Sequence, residues 1–373
     1  MTNAFTRNDT SVLGIWWWTI DKYMLVIIGL LFLVGSVLIL AAGPPAAYRI
    51  GADSFYFVRK QFLFIPLCFF IIFTFAFVKP IWLKRISVIF LGSIIFLTIL
   101  TTLFGLENNG AKRWIRILSF SLQPSEFIKP FIIIFSAWML SIQNEDKNFP
   151  GVIISLIVLS LVCLTLALQP DIGMSLLMIS VWCSQLFIFG IPIIFFAMGA
   201  LILLILSGVI YLTFPHVASR VDRFIDPLSG DNYQINQAIL AFNNGGIFGR
   251  GPGEGRVKET LPDAHTDFIF AVAGEEFGFW LCIFIIFLFC FLSIRVFLRI
   301  FNETNVFVII AITGLTVQLS MQALINMASS LHMIPTKGMT LPLISYGGSS
   351  MISTAICIGI ILSLTRRNIN TEI

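Results

Sequence analysis

The sequence predicts an all-α integral membrane protein of about ten transmembrane helices. Of its 373 residues, 58% are hydrophobic and 11% charged, and the mean hydropathy is +0.96. Soluble domains carry about 45–50% apolar and about 25% charged residues. This much apolar surface has no place inside a water-soluble particle whose exterior stays polar. A bilayer crossing takes about 20 apolar residues, so the length leaves room for roughly ten crossings with their loops.

Apolar runs bounded by charges and by Gly/Pro punctuation place the spans near 23–42, 56–78, 84–104, 125–142, 150–168, 172–189, 191–213, 267–294, 304–328 and 342–365. Spans six and seven are divided only by Gly190 and the Ile191-Pro192 step. An even count puts both termini on one side. That side carries Lys22, Lys79, Lys84, Arg85, Lys147, Arg295, Arg299, Arg366 and Arg367, so the positive-inside rule makes the termini cytoplasmic. Lys112, Arg113 and Arg116 then fall outside and call for a functional or snorkelling role. The expected organisation is a tail at 1–22, a single polytopic domain at 23–366 and a tail at 367–373. A large extracytoplasmic loop at 214–266 separates helices seven and eight. No apolar stretch precedes Trp16-Trp17-Trp18 and no small-residue cleavage site follows the first span, which predicts a first span that is retained.

The formal charge of +4, with no basic run, argues against a nucleic-acid partner. All six cysteines sit in apolar stretches and read as small buried hydrophobes, with no disulfide frame or zinc site.

Nine of the nineteen acidic residues fall between 214 and 276, beside Arg220, Arg223, Arg250, Arg256, Lys258, His216, His265 and the glycine-rich run Gly245 to Gly255. Any outer loop is polar, so polarity within or at the edges of the apolar helices is the sharper signal. Pro124 suits the first position of span four, where Glu126 and Lys129 share a face, as an ion pair or as substrate contacts. Gln169-Pro170-Asp171 is too short for a solvated connector; Asp171 either caps the next helix or faces a ligand. Asp267 lies where the chain enters the membrane. Partial desolvation there raises a carboxyl toward a working base, unless the group merely caps the helix. Of Glu275 and Glu276, one is expected to face a polar cavity. Pro335 to Gly338 and Ser345 to Ser350 put irregular backbone at the start of the last span, tolerated only where protein buries it or it lines a wet cavity. With Lys337 nearby, its N–H groups suit a pyrophosphate, although a Gly/Ser contact between helices has the same composition.

In this order the segments resemble the SEDS family of bacterial cell-wall polymerases, the FtsW, RodA and SpoVE proteins. The resemblance rests on Gly110-Ala111-Lys112-Arg113-Trp114-Ile115, Gln123 to Glu126 with Lys129, Gln169-Pro170-Asp171, Tyr233-Gln234, Gly245-Gly246 with Gly249 and Gly251, Leu261 through Asp267 to Phe270, Glu275-Glu276, Pro335 to Gly338 and Leu341 to Ser350. Gly251 to Gly255, Val257 to His265 and Trp16 to Asp21 are most similar to the division branch, that of FtsW. The resemblance implies a glycosyltransferase that polymerises lipid II at the outer face of the bacterial inner membrane, at the division septum. The family's essential aspartate falls on Asp267. Asp267 is the expected catalytic base, with substrate contacts from Lys337, Lys129, Glu126, Arg113, Arg223, Gln234, Asp171, Glu276, Ser349 and Ser350. Glu259, Asp263 and His265 are expected to position the loop. A divalent cation, Mg or Mn, bridging the phosphates is the one cofactor this chemistry admits, with no ligands assigned. The resemblance also implies a class B penicillin-binding protein and other division proteins as partners. A RodA-like elongation polymerase, a lipid II flippase and a non-catalytic scaffold are the alternatives. The one-sided acidic cluster and the absence of an inverted repeat favour an enzyme over a carrier.

Overall fold

The computed structural model describes residues 11–108, 111–117, 120–213, 218, 222, 233–301, 303–335 and 337–366. Among the described residues, eight helices are long and apolar enough to cross a membrane: α2 Lys22–Arg49, α3 Tyr56–Ala76, α4 Pro80–Phe104, α5 Pro124–Glu145, α6 Gly151–Leu168, α7 Ile172–Phe189, α11 Ile269–Ile300 and α12 Val306–Ser330. Ile193–Thr213 (α8) and the shorter Gly348–Leu364 (α13) bring the expected series to ten. The chain is therefore a multi-pass membrane protein.

The helix ends follow local chemistry. Pro80 and Pro124 open α4 and α5 at first-turn positions, where a missing N–H costs nothing. Asp21 caps α2 by accepting from Tyr23 N at 3.1 Å, and Gly190 closes α7 in a left-handed conformation (φ 99°) that favours glycine. The centre of the bundle is α5 and α12, whose apolar windows are 72% and 67% buried against 33% for α3, α4, α6, α7 and α11. Nearly every residue of α13 is buried as well. At the end that carries the chain's beginning and close, Asp21 accepts from Arg295 Nε at 2.8 Å, and Arg366 Nε donates to Thr19 Oγ1 at 3.2 Å.

Three features depart from the sequence reading. The tail expected at 1–22 contains a helix, α1 Val12–Thr19, begun by Ser11, whose hydroxyl accepts from Gly14 N. Between α4 and α5 lie three short antiparallel strands, β1 Leu106–Asn108, β2 Ala111–Ile117 and β3 Phe120–Leu122, in the order β1-β2-β3. The 214–266 segment, read as a loop, holds helices α9 Tyr233–Gly245 and α10 Val257–Thr260.

The glycine-rich run Gly245 to Gly255 packs on α11 where that helix breaks. Gly278 has φ 72° and ψ −164°, which interrupts the helical hydrogen bonds around it. The run supplies replacements: Arg250 N and Gly251 N donate to the Glu275 and Glu276 carbonyls, each at 2.9 Å, and Phe279 N donates to Gly246 O at 3.0 Å. Glu275 and Glu276 turn into this run, so the expectation that one faces a cavity does not hold. Glu275 accepts from Arg256 N at 3.0 Å and from Val257 N at 3.1 Å; Glu276 accepts from Gly253 N at 3.1 Å and pairs with Lys258 at 2.5 Å. Gly249 combines φ 79° with backbone so close that a Cβ would collide with the Glu276 carbonyl. Gly249→Ala is accordingly expected to cost about 1 kcal/mol or more in strain alone, read as a lowered Tm in detergent.

Candidate functional site

The ends of α3, α5, α7, α11 and α13 that lie opposite the Asp21 cluster surround a cavity of about 450 Å³. Asp267, Asp263, Glu126, Asp171, Arg113, Lys337, Ser349 and Ser350 line it. These are residues the sequence singled out in separate segments, and the fold brings them together.

Asp267 sits in a tight turn. Asp263, at φ 52°, offers one carbonyl to Thr266 N, Asp267 N and Phe268 N at 3.0, 3.0 and 3.3 Å. The carbonyls of residues 265, 266 and 267 are each held from another segment. His265 O accepts from Tyr346 N at 3.0 Å, Thr266 O from Ser345 Oγ at 2.6 Å and Asp267 O from Asn326 Nδ2 at 2.8 Å. Phe268, the residue before α11, makes no side-chain cap, and Asp267 does not cap the helix either; its carboxylate faces the cavity. Gly338 lies so close that a Cβ there would come within 3.0 Å of Asp267 Oδ2. Burial pushes the Asp267 carboxyl up to about 7, with Asp263 and Glu126 adding to the rise and Lys337 opposing it.

Across the cavity, Asp171 caps α7 by accepting from Met174 N at 3.2 Å and also binds Lys337 Nζ at 2.6 Å. Of the two roles expected of Asp171, the cap is therefore present, and the same oxygen that makes it pairs with Lys337 at the cavity. Gly173 makes room for this pair, because a side chain there would occupy the space of the Lys337 stem. The β2 strand delivers Arg113, whose guanidinium donates to Gln169 O at 2.8 Å and Pro170 O at 2.7 Å and lies 3.9 Å from Asp171. Burial works to raise the Asp171 carboxyl, but Lys337 and Arg113 outweigh it and hold the group below the usual range. Ser349 Oγ accepts from Gln123 N at 3.0 Å, and Ser350 Oγ shares a 2.6 Å hydrogen bond with Thr340 Oγ1. The first turn of α13 opens here, where helix N–H groups lack intrahelical acceptors.

Other expected contacts lie elsewhere. Lys129 is buried beneath the cavity wall, paired with Glu126 at 2.6 Å and donating to Gln322 Oε1 at 2.9 Å. Glu276 is absorbed by the glycine-rich run, Gln234 is exposed on α9, and Glu259 is exposed on α10. His265 stacks on Phe57 with ring centroids 4.2 Å apart, and burial, then Arg49, lower its imidazole to about 4. It is a neutral packing residue at physiological pH. Arg223, like His216, Arg220, Asp226 and Asp231, lies outside the described residues. The sequence reading missed Lys60, Trp114 and Thr340, which also line the cavity. Lys60 stands in the first turns of α3 with nothing in the neighbouring sequence to mark it, and Trp114 faces the site because of the unforeseen strands. No group of three or more His, Cys, Asp or Glu among the described residues could hold a metal ion.

Two outcomes follow from these environments. Because the folded value for Asp267 exceeds the ordinary 3.8, the folded state holds the proton more tightly than the unfolded chain, and stability falls as pH rises from about 4 to 7. Asp267→Asn removes that penalty. The expected Tm gain is small at pH 5 and larger at pH 7.5; a gain independent of pH would indicate a solvated carboxyl. Glu126→Gln leaves the Lys129 ammonium buried without its counter-charge, with an expected loss of about 3–5 kcal/mol in unfolding measurements.

A family model described as cell cycle protein, FtsW/RodA/SpoVE, matches residues 21–370. The chain is 39% identical to a probable peptidoglycan glycosyltransferase FtsW of Caulobacter vibrioides, covering 98% of this chain and 94% of that one. It is 36% identical to the corresponding protein of Buchnera aphidicola, over 90% of each. In architecture it is similar to a chain of a peptidoglycan synthase complex that coordinates polymerization and crosslinking, with a TM-score of 0.76, 24% identity, and 93% of this chain and 97% of that one covered. The rod shape determining protein RodA of Thermus thermophilus gives a TM-score of 0.67 at 23% identity, covering 94% of this chain and 97% of that one.

Proposed function

The chain belongs to the FtsW/RodA/SpoVE family of cell cycle proteins, and we propose that it is the division-type peptidoglycan glycosyltransferase, polymerising lipid II. The observation that carries this reading is the Asp267 carboxylate, which faces a polar cavity at a membrane helix end and is raised to about 7. A base is most useful when its pKa lies near the working pH.

The acceptor sugar's 4-hydroxyl gives its proton to Asp267 as its oxygen bonds to C1 of the donor, and the bond from C1 to the lipid-linked pyrophosphate breaks. The configuration at C1 inverts from α to β. Pyrophosphate leaves without protonation by a second carboxylic acid, which glycoside hydrolysis requires. What it needs is positive charge, and Lys337 and Arg113 stand on the opposite wall, balanced in the free enzyme by Asp171. Incoming phosphate oxygens would draw Lys337 from Asp171. Ser349, Ser350 and the first turn of α13 add donors at the same place.

The basic residues near the Asp21 end support an inner-membrane protein with cytoplasmic termini and the cavity facing outward. A class B penicillin-binding protein is the proposed partner, by analogy with the synthase complex of similar fold.

Purified Asp267→Asn is expected to remain folded yet form no glycan from lipid II in detergent, where there is no membrane to cross. Retained polymerisation would remove Asp267 from the role of base, and failure of the wild type to polymerise would favour a carrier. For the wild type, the initial rate should rise with pH to a plateau, and at pH 6 stand at about a tenth of it.

A further inference from the structure

Helix α12 turns one polar face toward the two irregular segments that wall the cavity, the Asp267 turn and residues 337–340. Gln318, Gln322 and Asn326 recur at every fourth residue, Ser329 follows, and all four are buried. Such a stripe inside a membrane protein is costly unless its amides are used. Gln318 Nε2 donates to Gln322 Oε1 at 2.9 Å, and Gln322 Nε2 donates to Thr340 O at 3.0 Å. Ser329 Oγ accepts from Lys337 N at 3.2 Å. Asn326 differs from the others in joining the Asp267 turn to the segment before α13: its Nδ2 donates to Asp267 O at 2.8 Å and to Met339 O at 2.6 Å.

Those two carbonyls belong to opposite sides of the contact that matters. Asp267 carries the proposed base, and Met339 follows Gly338, the residue against which the carboxylate rests. The Asp267 N–H bonds within its own turn, to Asp263 O. Among the described residues, the backbone tie from residue 267 to another segment is therefore the Asn326 amide.

We infer that Asn326 is a positioning residue for the glycosyl transfer, clamping the Asp267 and Met339 carbonyls so that the base and the wall carrying Lys337 and Gly338 keep a fixed separation. The inference rests on the reading of Asp267 as base. The charged groups around Asp267 are Asp263 in its own turn, Glu126 from α5 and Lys337 from the segment before α13; Arg113, Asp171 and Lys60 stand further round the cavity. Releasing the Asp267 carbonyl lets the carboxylate swing from this buried, acid-flanked position toward water.

The test compares wild type, Asn326→Leu, which has similar bulk and no donors, and Asn326→Gln, which keeps the amide. Polymerisation is measured across pH at equal amounts of monodisperse protein. For Asn326→Leu the expected result is a fall in kcat of about a hundredfold with little change in KM, as for a displaced catalytic group. The midpoint of its pH profile should move down by a unit or more, and Asn326→Gln should recover part of both effects. A role confined to stability lowers Tm and yield but leaves the midpoint where the wild type has it, and that result overturns the inference. Should Asn326→Leu fail to accumulate, Asn326→Ala is read in the same way. Failure of the underlying reading is recognisable beforehand: a wild type without an inflection near pH 7, or an active Asp267→Asn, removes both.

Discussion

A backbone carbonyl or amide within lipid has no water to turn to, so every departure from helix must be closed by another part of the protein. The site is built on that constraint. The turn before α11 places three successive carbonyls outside any helix, and Tyr346, Ser345 and Asn326 answer them one by one. The segment between α12 and α13 is irregular for the same reason, and its carbonyls at Met339 and Thr340 are met from α12. Two strands of non-helical chain are thereby held side by side by a third element. The alignment of a carboxylate with a lysine on the facing segment is a by-product of backbone satisfaction.

Desolvation then sorts the charges. Glu126 and Lys129, one turn apart, neutralise each other, and the lysine is taken out of circulation beneath the wall. Asp171 is matched by Lys337 and Arg113 and stays ionised. Asp267, buried and facing two other carboxylates, is raised to about 7. One cavity thus keeps an anion, a pair of cations and a proton acceptor within the reach of a single sugar phosphate. The difference among the three carboxylates arises from their neighbours, since their local sequences are much alike.

The spans were legible because each is a continuous run of apolar residues, a property of adjacent positions. Asp267 was legible for the same reason: it stands at the junction of a polar run and an apolar one. Glu126 and Lys129 could be paired from helical periodicity, and Asp171 could be read as a cap. Long-range geometry was not available. Nothing near Arg113 indicates that β2 carries it to the Gln169 and Pro170 carbonyls, more than fifty positions away. Glu275 and Glu276 looked like site residues because a carboxylate in a membrane helix is expensive, yet Lys258 pairs with Glu276 and the backbone donors of Gly253, Arg256 and Val257 satisfy the rest, donors that carry no signature in side-chain composition. Asn326 was overlooked because one amide in a helix containing Gln318 and Gln322 does not reveal which carbonyls it will meet.

The break at Gly278 divides α11 into two rods, and the angle between them is braced by a splint borrowed from the chain before it. The short rod starts at Ile269, directly after the Asp267 turn, and the long one runs to Arg295 and Arg299, where Asp21 moors it. The splint sits in register only if residues 246 to 251 keep their number, because each of its three bonds is counted from a particular position. The catalytic end of the helix is therefore aimed by a segment that never touches the cavity, and its bearing is set by chain length rather than by side-chain identity.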